Sequence, residues 1–185
     1  ATSSFHDSDP AGYANTMVKG RPGINPLRHR SICELTSDQY KNLAEILSQS
    51  GVNDYHNQAI EEGYLLAHEN LKIGHYEFKS GSQNKSYTYP SEGDLNRILQ
   101  EIKSAKEQSE CVIVSIHTHQ FSGKKKENPA EFIQITARKC IDRGARIIVC
   151  HGPHILRGIE AYKGGIIFYS LGNFIFENET VPVLP

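Results

Sequence analysis

The chain has 185 residues, 38% of them hydrophobic, which is enough for a globular domain with a real core. Its net charge of −1 gives no general attraction to nucleic acid or anionic lipid. No stretch approaches the roughly 20 consecutive apolar residues of a membrane-spanning helix. Residues 1–30 are polar and lack the apolar core of a cleavable signal peptide.

Residues 1–35 carry Gly, Pro, Ser and Asn without a sustained period and read as loop, with Asn25-Pro26 as a turn. A helix follows. Thr36 stands as its cap with Gln39 three residues on, Tyr40, Leu43, Ala44 and Leu47 share a face, and Gly51 ends it. A second helical stretch runs from about 53 to 68, with Ile60, Tyr64 and Ala67 on one face. The segment IGHYEFKSGSQNKSYTY alternates weakly around Ser-Gly and predicts a hairpin or short strands. A third helix covers about 92–107, where Leu95, Ile98, Leu99, Ile102 and Ala105 form the stripe.

From residue 111 the pattern sharpens. CVIVSI is an apolar run of strand length, the mark of a strand buried on both faces. Asn128-Pro129 opens a helix with Glu131 completing the cap. Ile133, Ala137, Cys140 and Ile141 line it, and Gly144 closes it. RIIVC is the next buried strand, so the run reads as a right-handed βαβ unit. GIEAYKGGIIFYSLGNFIF then adds a hairpin around Lys-Gly-Gly and a further short strand after Gly172, with Tyr169 and Phe174 in the core. Of the four cysteines, Cys33, Cys111, Cys140 and Cys150, none forms a CxxC pair. They read as free thiols, with Cys111, Cys140 and Cys150 on core faces, a pattern compatible with a cytoplasmic setting.

Both apolar strands end in histidine pairs: His117 and His119 in SIHTHQ, His151 and His154 in HGPHIL. Ligands of open parallel sheets collect beyond the carboxyl ends of the strands. Neighbouring strands lie about 5 Å apart, so the four imidazoles can converge. Neutral imidazole suits zinc, manganese, iron or nickel. Arg157 offers bidentate contact to phosphate or carboxylate, or a surface ion pair. Asn173 reads either as an orienting partner of a metal ligand or as a turn residue. The run Lys124–Lys126 reads as a solvated loop, with proximity to an anionic substrate as the alternative. No GxSxG, GxGxxG or phosphate-binding Walker loop occurs, and Cys150 reads as a core thiol rather than a nucleophile.

SIHTHQ, the segment CIDRGARIIVCHGPHILRGIEAYKGGIIFYSLGNFIF and the earlier GRPGINPLR resemble the CapA family of bacterial capsule or poly-γ-glutamate biosynthesis proteins. The resemblance is dense over about 111–180 and looser over 1–35. It implies an α/β fold: the C-terminal portion of a metallophosphoesterase-like α/β/β/α sandwich, with the βαβ unit and the following hairpin. The 185 residues would form part of one such domain, loop-rich to 35, mainly helical over 36–110 and sheet from 111. It further implies two divalent metal ions (Mn, Zn or Fe), held in part by His117, His119 and His154, with His151 as a ligand or leaving-group acid. Arg157, Asn173 and Gln120 would contact substrate or support the ligands.

The sequence departs from the family pattern in three places. Gln120 stands where an acidic residue is usual, and His151-Gly152-Pro153-His154 replaces Gly-x-His-Pro-His. The family's earlier Asp and Asn-His motifs have no counterpart before residue 111, where His6-Asp7-Ser8-Asp9 is the carboxylate–imidazole cluster. The chain therefore reads as the C-terminal portion of a longer protein, and its own residues are expected to hold one metal weakly or none. Two functions stand open. One is a metal-dependent, phosphoesterase-like hydrolase. The other is a non-catalytic accessory protein that binds an anionic polymer such as poly-γ-glutamate during synthesis or export. The resemblance implies a bacterial cell-surface or membrane-associated setting.

Overall fold

The computed structural model describes residues 2–3, 11–12 and 15–175. The chain divides into two compact units, residues 30–88 and residues 1–29 with 89–185.

The smaller unit contains β3 (His29–Thr36), α1 (Ser37–Ser50), α2 (Asp54–Glu61), β4 (Leu71–Ile73), β5 (Tyr76–Gly81) and β6 (Lys85–Pro90). Its four strands form one sheet in the order β4-β5-β3-β6. The pair β3–β5 is parallel and β4–β5 antiparallel. The expected loop before residue 36 is thus corrected at its end to an eight-residue strand. Its sequence HRSICELT interleaves polar and apolar residues, and pairing with β5 supplies the order that the local composition does not.

Helix α1 begins after Thr36 as expected and ends at Gly51, which adopts a left-handed φ of 67°. The Thr36 hydroxyl donates to the Gln39 side-chain oxygen at 2.9 Å and does not bond the helix backbone. The second helix is shorter than expected, stopping at Glu61. Gly63 turns left-handed at φ 80°, its N–H returns to the Ile60 carbonyl, and the Tyr64 N–H returns to Ala59. Those contacts close the helix before Tyr64 and Ala67 can join its face, and Tyr64 is exposed. The expected short strands over 73–89 are β5 and β6, so the stretch 36–110 contains more sheet than its helical periods imply.

The larger unit is built on a six-stranded sheet, ordered β2-β1-β7-β8-β10-β9. Its strands are β1 (Thr2–Ser3), β2 (Asn25–Pro26), β7 (Ile113–His117), β8 (Ile147–His151), β9 (Ile159–Tyr162) and β10 (Gly165–Phe168). Helices α3 (Glu92–Gln108) and α4 (Glu131–Arg143) belong to it. Strands β7 and β8 are parallel neighbours joined through α4, with Ile113 opposite Ile147 and His117 opposite His151. The βαβ unit is therefore present at the expected positions. The hairpin is present too: β9 and β10 pair antiparallel around Lys163-Gly164, and β10 lies parallel to β8.

Ile98 and Ile102 of α3, and Phe132, Ile133, Ala137, Cys140 and Ile141 of α4, pack on Val114, Ile116, Ile148, Cys150 and Ile167 of the sheet. Fully burying a side chain of this size contributes roughly 1.5–3 kcal/mol, so this single cluster dominates the unit's stability.

Several expectations are corrected here. β7 is buried on one face only: Val114 and Ile116 lie under the helices, whereas Ile113 is 61% exposed. The apolar run reflects two different environments among the described residues. Cys111 is exposed because it precedes the first paired residue of β7, while Cys140 and Cys150 are buried; all four thiols are free. Asn25-Pro26 is a short edge strand rather than a turn. It pairs with β1 on one side only, a position where proline's missing N–H costs no ladder bond. α4 starts at Glu131 with Ala130 as N-cap, and Glu131 accepts a hydrogen bond from the Ser122 hydroxyl instead of completing a cap. Residues 173–175 form no strand, and Phe174 is fully exposed, whereas Tyr169 is buried as expected. The His6-Asp7-Ser8-Asp9 cluster lies outside the described residues.

Candidate functional site

The β7–β8 register places His117 directly opposite His151 at the carboxyl end of the sheet. Pairing continues one step further, where the Thr118 N–H donates to the His151 carbonyl at 2.8 Å. Gly152 then turns the chain at φ 121°. A Cβ there would stand 2.7 Å from the Thr118 carbonyl oxygen, so only glycine lets the two loops lie this close. His154 itself holds a left-handed φ of 62°, a conformation that side-chain-bearing residues adopt at a cost.

This backbone gathers all four histidines. The His117 ring centroid lies 4.9 Å from that of His151 and 5.1 Å from that of His119, and His119 lies 5.5 Å from His154. Nδ1 of His117 is 3.0 Å from Nδ1 of His151, and its Nε2 is 3.2 Å from Nε2 of His119. The second nitrogen of His151, Nε2, is 2.9 Å from the Ser115 hydroxyl. Nδ1 of His154 is 2.8 Å from the Asn173 side-chain oxygen, so Asn173 orients that ring. Gln120 accepts a hydrogen bond from the Thr118 hydroxyl at 2.7 Å.

Burial disfavours the imidazolium forms of His119 and His151 and lowers both pKa values. The neighbouring His117 adds to the effect at both, and His154, Lys126 and Arg157 add to it at His119. Both rings are thus held toward the neutral form, which keeps a lone pair for a proton or a cation.

Arg157 is not a surface ion pair. It is 7% exposed, and its Nε donates to the Lys126 carbonyl at 2.9 Å, tying down the 124–130 loop. Its two terminal nitrogens have no hydrogen-bond partner among the described residues, and burial lowers its pKa. Lys126 is therefore more than a member of a solvated run, because its carbonyl anchors this guanidinium.

His117 is the shared member of two close nitrogen pairs, with His151 at 3.0 Å and with His119 at 3.2 Å. Among the described residues, no group of three or more His, Cys, Asp or Glu side chains is arranged to hold a metal ion. The four imidazoles include no carboxylate that could bridge and neutralise two dications, so by themselves they do not make up the two-metal centre that the resemblance implies. Sequence reasoning also missed Ser115. The available signal was strand alternation, which puts it two positions before His117 on the same face of β7.

A family model described as bacterial capsule synthesis protein PGA_cap matches residues 36–178. An uncharacterized protein, y4sH, of Sinorhizobium fredii is 38% identical over 176 residues, which are 95% of this chain and 35% of that protein. The capsule biosynthesis protein CapA of Bacillus anthracis is 41% identical over 83 residues, 43% of this chain and 20% of that protein. The PGA biosynthesis protein CapA of Bacillus subtilis is 44% identical over 77 residues, 41% of this chain and 19% of its own length. The chain thus spans about a third or less of the length of the relatives it matches. With the matched segment running through both helix-backed histidine strands, the chain belongs to the bacterial capsule synthesis family PGA_cap and is similar to the CapA proteins of Bacillus.

Proposed function

We propose that the protein acts in the synthesis of an anionic capsule polymer of the poly-γ-glutamate type, with the histidine edge of β7 and β8 as its working site. The observation that carries this reading is the contact of four imidazoles at the ends of two adjacent parallel strands. The names of the Bacillus relatives supply the polymer class. In the hydrolase reading, His117, His119 and His154 would join donors outside the described residues around divalent metal, and His151 would serve the leaving group. Arg157 would add positive potential for a phosphoester or carboxylate.

The second reading is an accessory protein that binds the polymer without cleaving it, and the names of the Bacillus relatives support its polymer class. One experiment separates the two. A protein of the relatives' full length is loaded with Mn, Zn or Fe, then assayed for metal content, chromogenic phosphodiester turnover and poly-γ-glutamate binding. Metal-dependent turnover abolished by His117→Ala and His154→Ala supports the hydrolase. Polymer binding without turnover supports the accessory role. If neither appears, or both variants behave as wild type, the histidine edge is not the working site.

A further inference from the structure

Ser115 sits in the middle of β7, half-buried, with its side chain on the face that carries His117. Among the described residues, its hydroxyl has a single hydrogen-bond partner, Nε2 of His151, at 2.9 Å. His151 therefore has both ring nitrogens engaged, Nε2 by Ser115 and Nδ1 by His117 at 3.0 Å. A neutral imidazole offers one donor and one acceptor, so the direction of one contact fixes the direction of the other. A hydroxyl can point either way, but an idle buried donor costs more than an idle lone pair, which favours Ser115 as the donor.

We propose that Ser115 is a positioning residue that sets the tautomer of His151: its Oγ–H donates to Nε2, leaving Nδ1–H aimed at Nδ1 of His117. The order Ser115–His151–His117 resembles a nucleophile–base–orienter series. The strand position argues against that chemistry. Backbone N–H groups in a strand paired on both sides are committed to the ladders and do not form an oxyanion hole. Ser115 instead decides which ring nitrogen of His151 carries the proton, and hence which one keeps the lone pair. The assignment concerns the metal-free chain and does not depend on which function the histidine edge serves.

The test is ¹⁵N NMR of the histidine-labelled, chelator-treated chain at roughly pH 8, above the ordinary imidazole pKa. In the wild type, His151 should show a protonated Nδ1 and an unprotonated Nε2. Ser115→Ala should bring its two nitrogen shifts toward each other as both tautomers become populated, and Ser115→Thr should restore the wild-type pattern. A circular dichroism melt checks folding of each variant. If Ser115→Ala fails to fold, the wild-type and Ser115→Thr spectra still decide the question. An Nε2-protonated His151 in the wild type would overturn the proposal, as would an unchanged His151 spectrum in a folded Ser115→Ala. Covalent labelling of Ser115 by a fluorophosphonate would also overturn it, in favour of a nucleophile.

Discussion

The Asp94 carboxylate, fully buried in the first turn of α3, is clasped by Arg28 through its backbone N–H at 2.8 Å, Nε at 2.9 Å and a terminal nitrogen at 2.8 Å. Arg97, one turn along α3, adds a contact at 3.0 Å. Burial alone would raise the carboxyl pKa, but the hydrogen bonds from Arg28 and Arg97 outweigh it and bring the value down to about 2. Because the folded pKa is depressed, the stability this group contributes is present above the ordinary carboxylate range. It should fade as pH falls from roughly 4 toward 2. Asp94→Asn should cost about 2 kcal/mol at neutral pH and flatten the stability profile over that acid window. Urea melts at several pH values check this; an unchanged acid limb would sink it.

The cysteines should divide by reactivity. Burial pushes the Cys140 and Cys150 thiols up to about 12, so they carry almost no thiolate at neutral pH. Cys111 is exposed. A thiol reagent should modify Cys111 first in the folded protein and reach Cys140 and Cys150 only on unfolding. Peptide mapping after timed alkylation reads the order, and rapid labelling of Cys150 in the native state would contradict it.

Glu160 joins β9 to both α4 and the end of β10. Its carboxylate accepts from Arg138 Nε at 2.9 Å and from the Tyr169 hydroxyl at 2.7 Å. Tyr169 is buried, whereas the Arg138 side chain is 43% exposed. Tyr169→Phe should therefore cost about 1 kcal/mol, and Arg138→Ala less, roughly 0.5 kcal/mol. Equilibrium denaturation of the two variants tests the ranking, which an equal or reversed loss would refute.

Gly152→Ala should strain the turn between the two histidine loops, because the new methyl group would meet the Thr118 backbone at 2.7 Å. The expected loss is roughly 1–3 kcal/mol, with displacement of the His151 and His154 resonances in a histidine-detected NMR spectrum. Wild-type positions for both rings would show that the loops do not need this close approach.

The periodic apolar positions located α1, α3, α4, β7, β8 and the β9–β10 hairpin, because each buries a face that local sequence must supply. Paired histidines after two apolar runs likewise marked the site, since a parallel βαβ unit brings both strand ends to one edge. The rest depended on partners far along the chain. β3 is a strand because β5 lies beside it, and Asn25-Pro26 is an edge strand because β1 does. Cys111 is exposed because it lies before β7 begins, and Ile113 because it lies on the face of β7 opposite the helix-packed Val114 and Ile116. Which imidazole nitrogen faces which neighbour, that Ser115 bonds His151, and that Arg157 is buried against the Lys126 carbonyl were settled by tertiary contacts alone. Residue spacing carries the rhythm of a strand or helix, but hydrogen-bond direction and burial depend on what the fold places opposite each side chain.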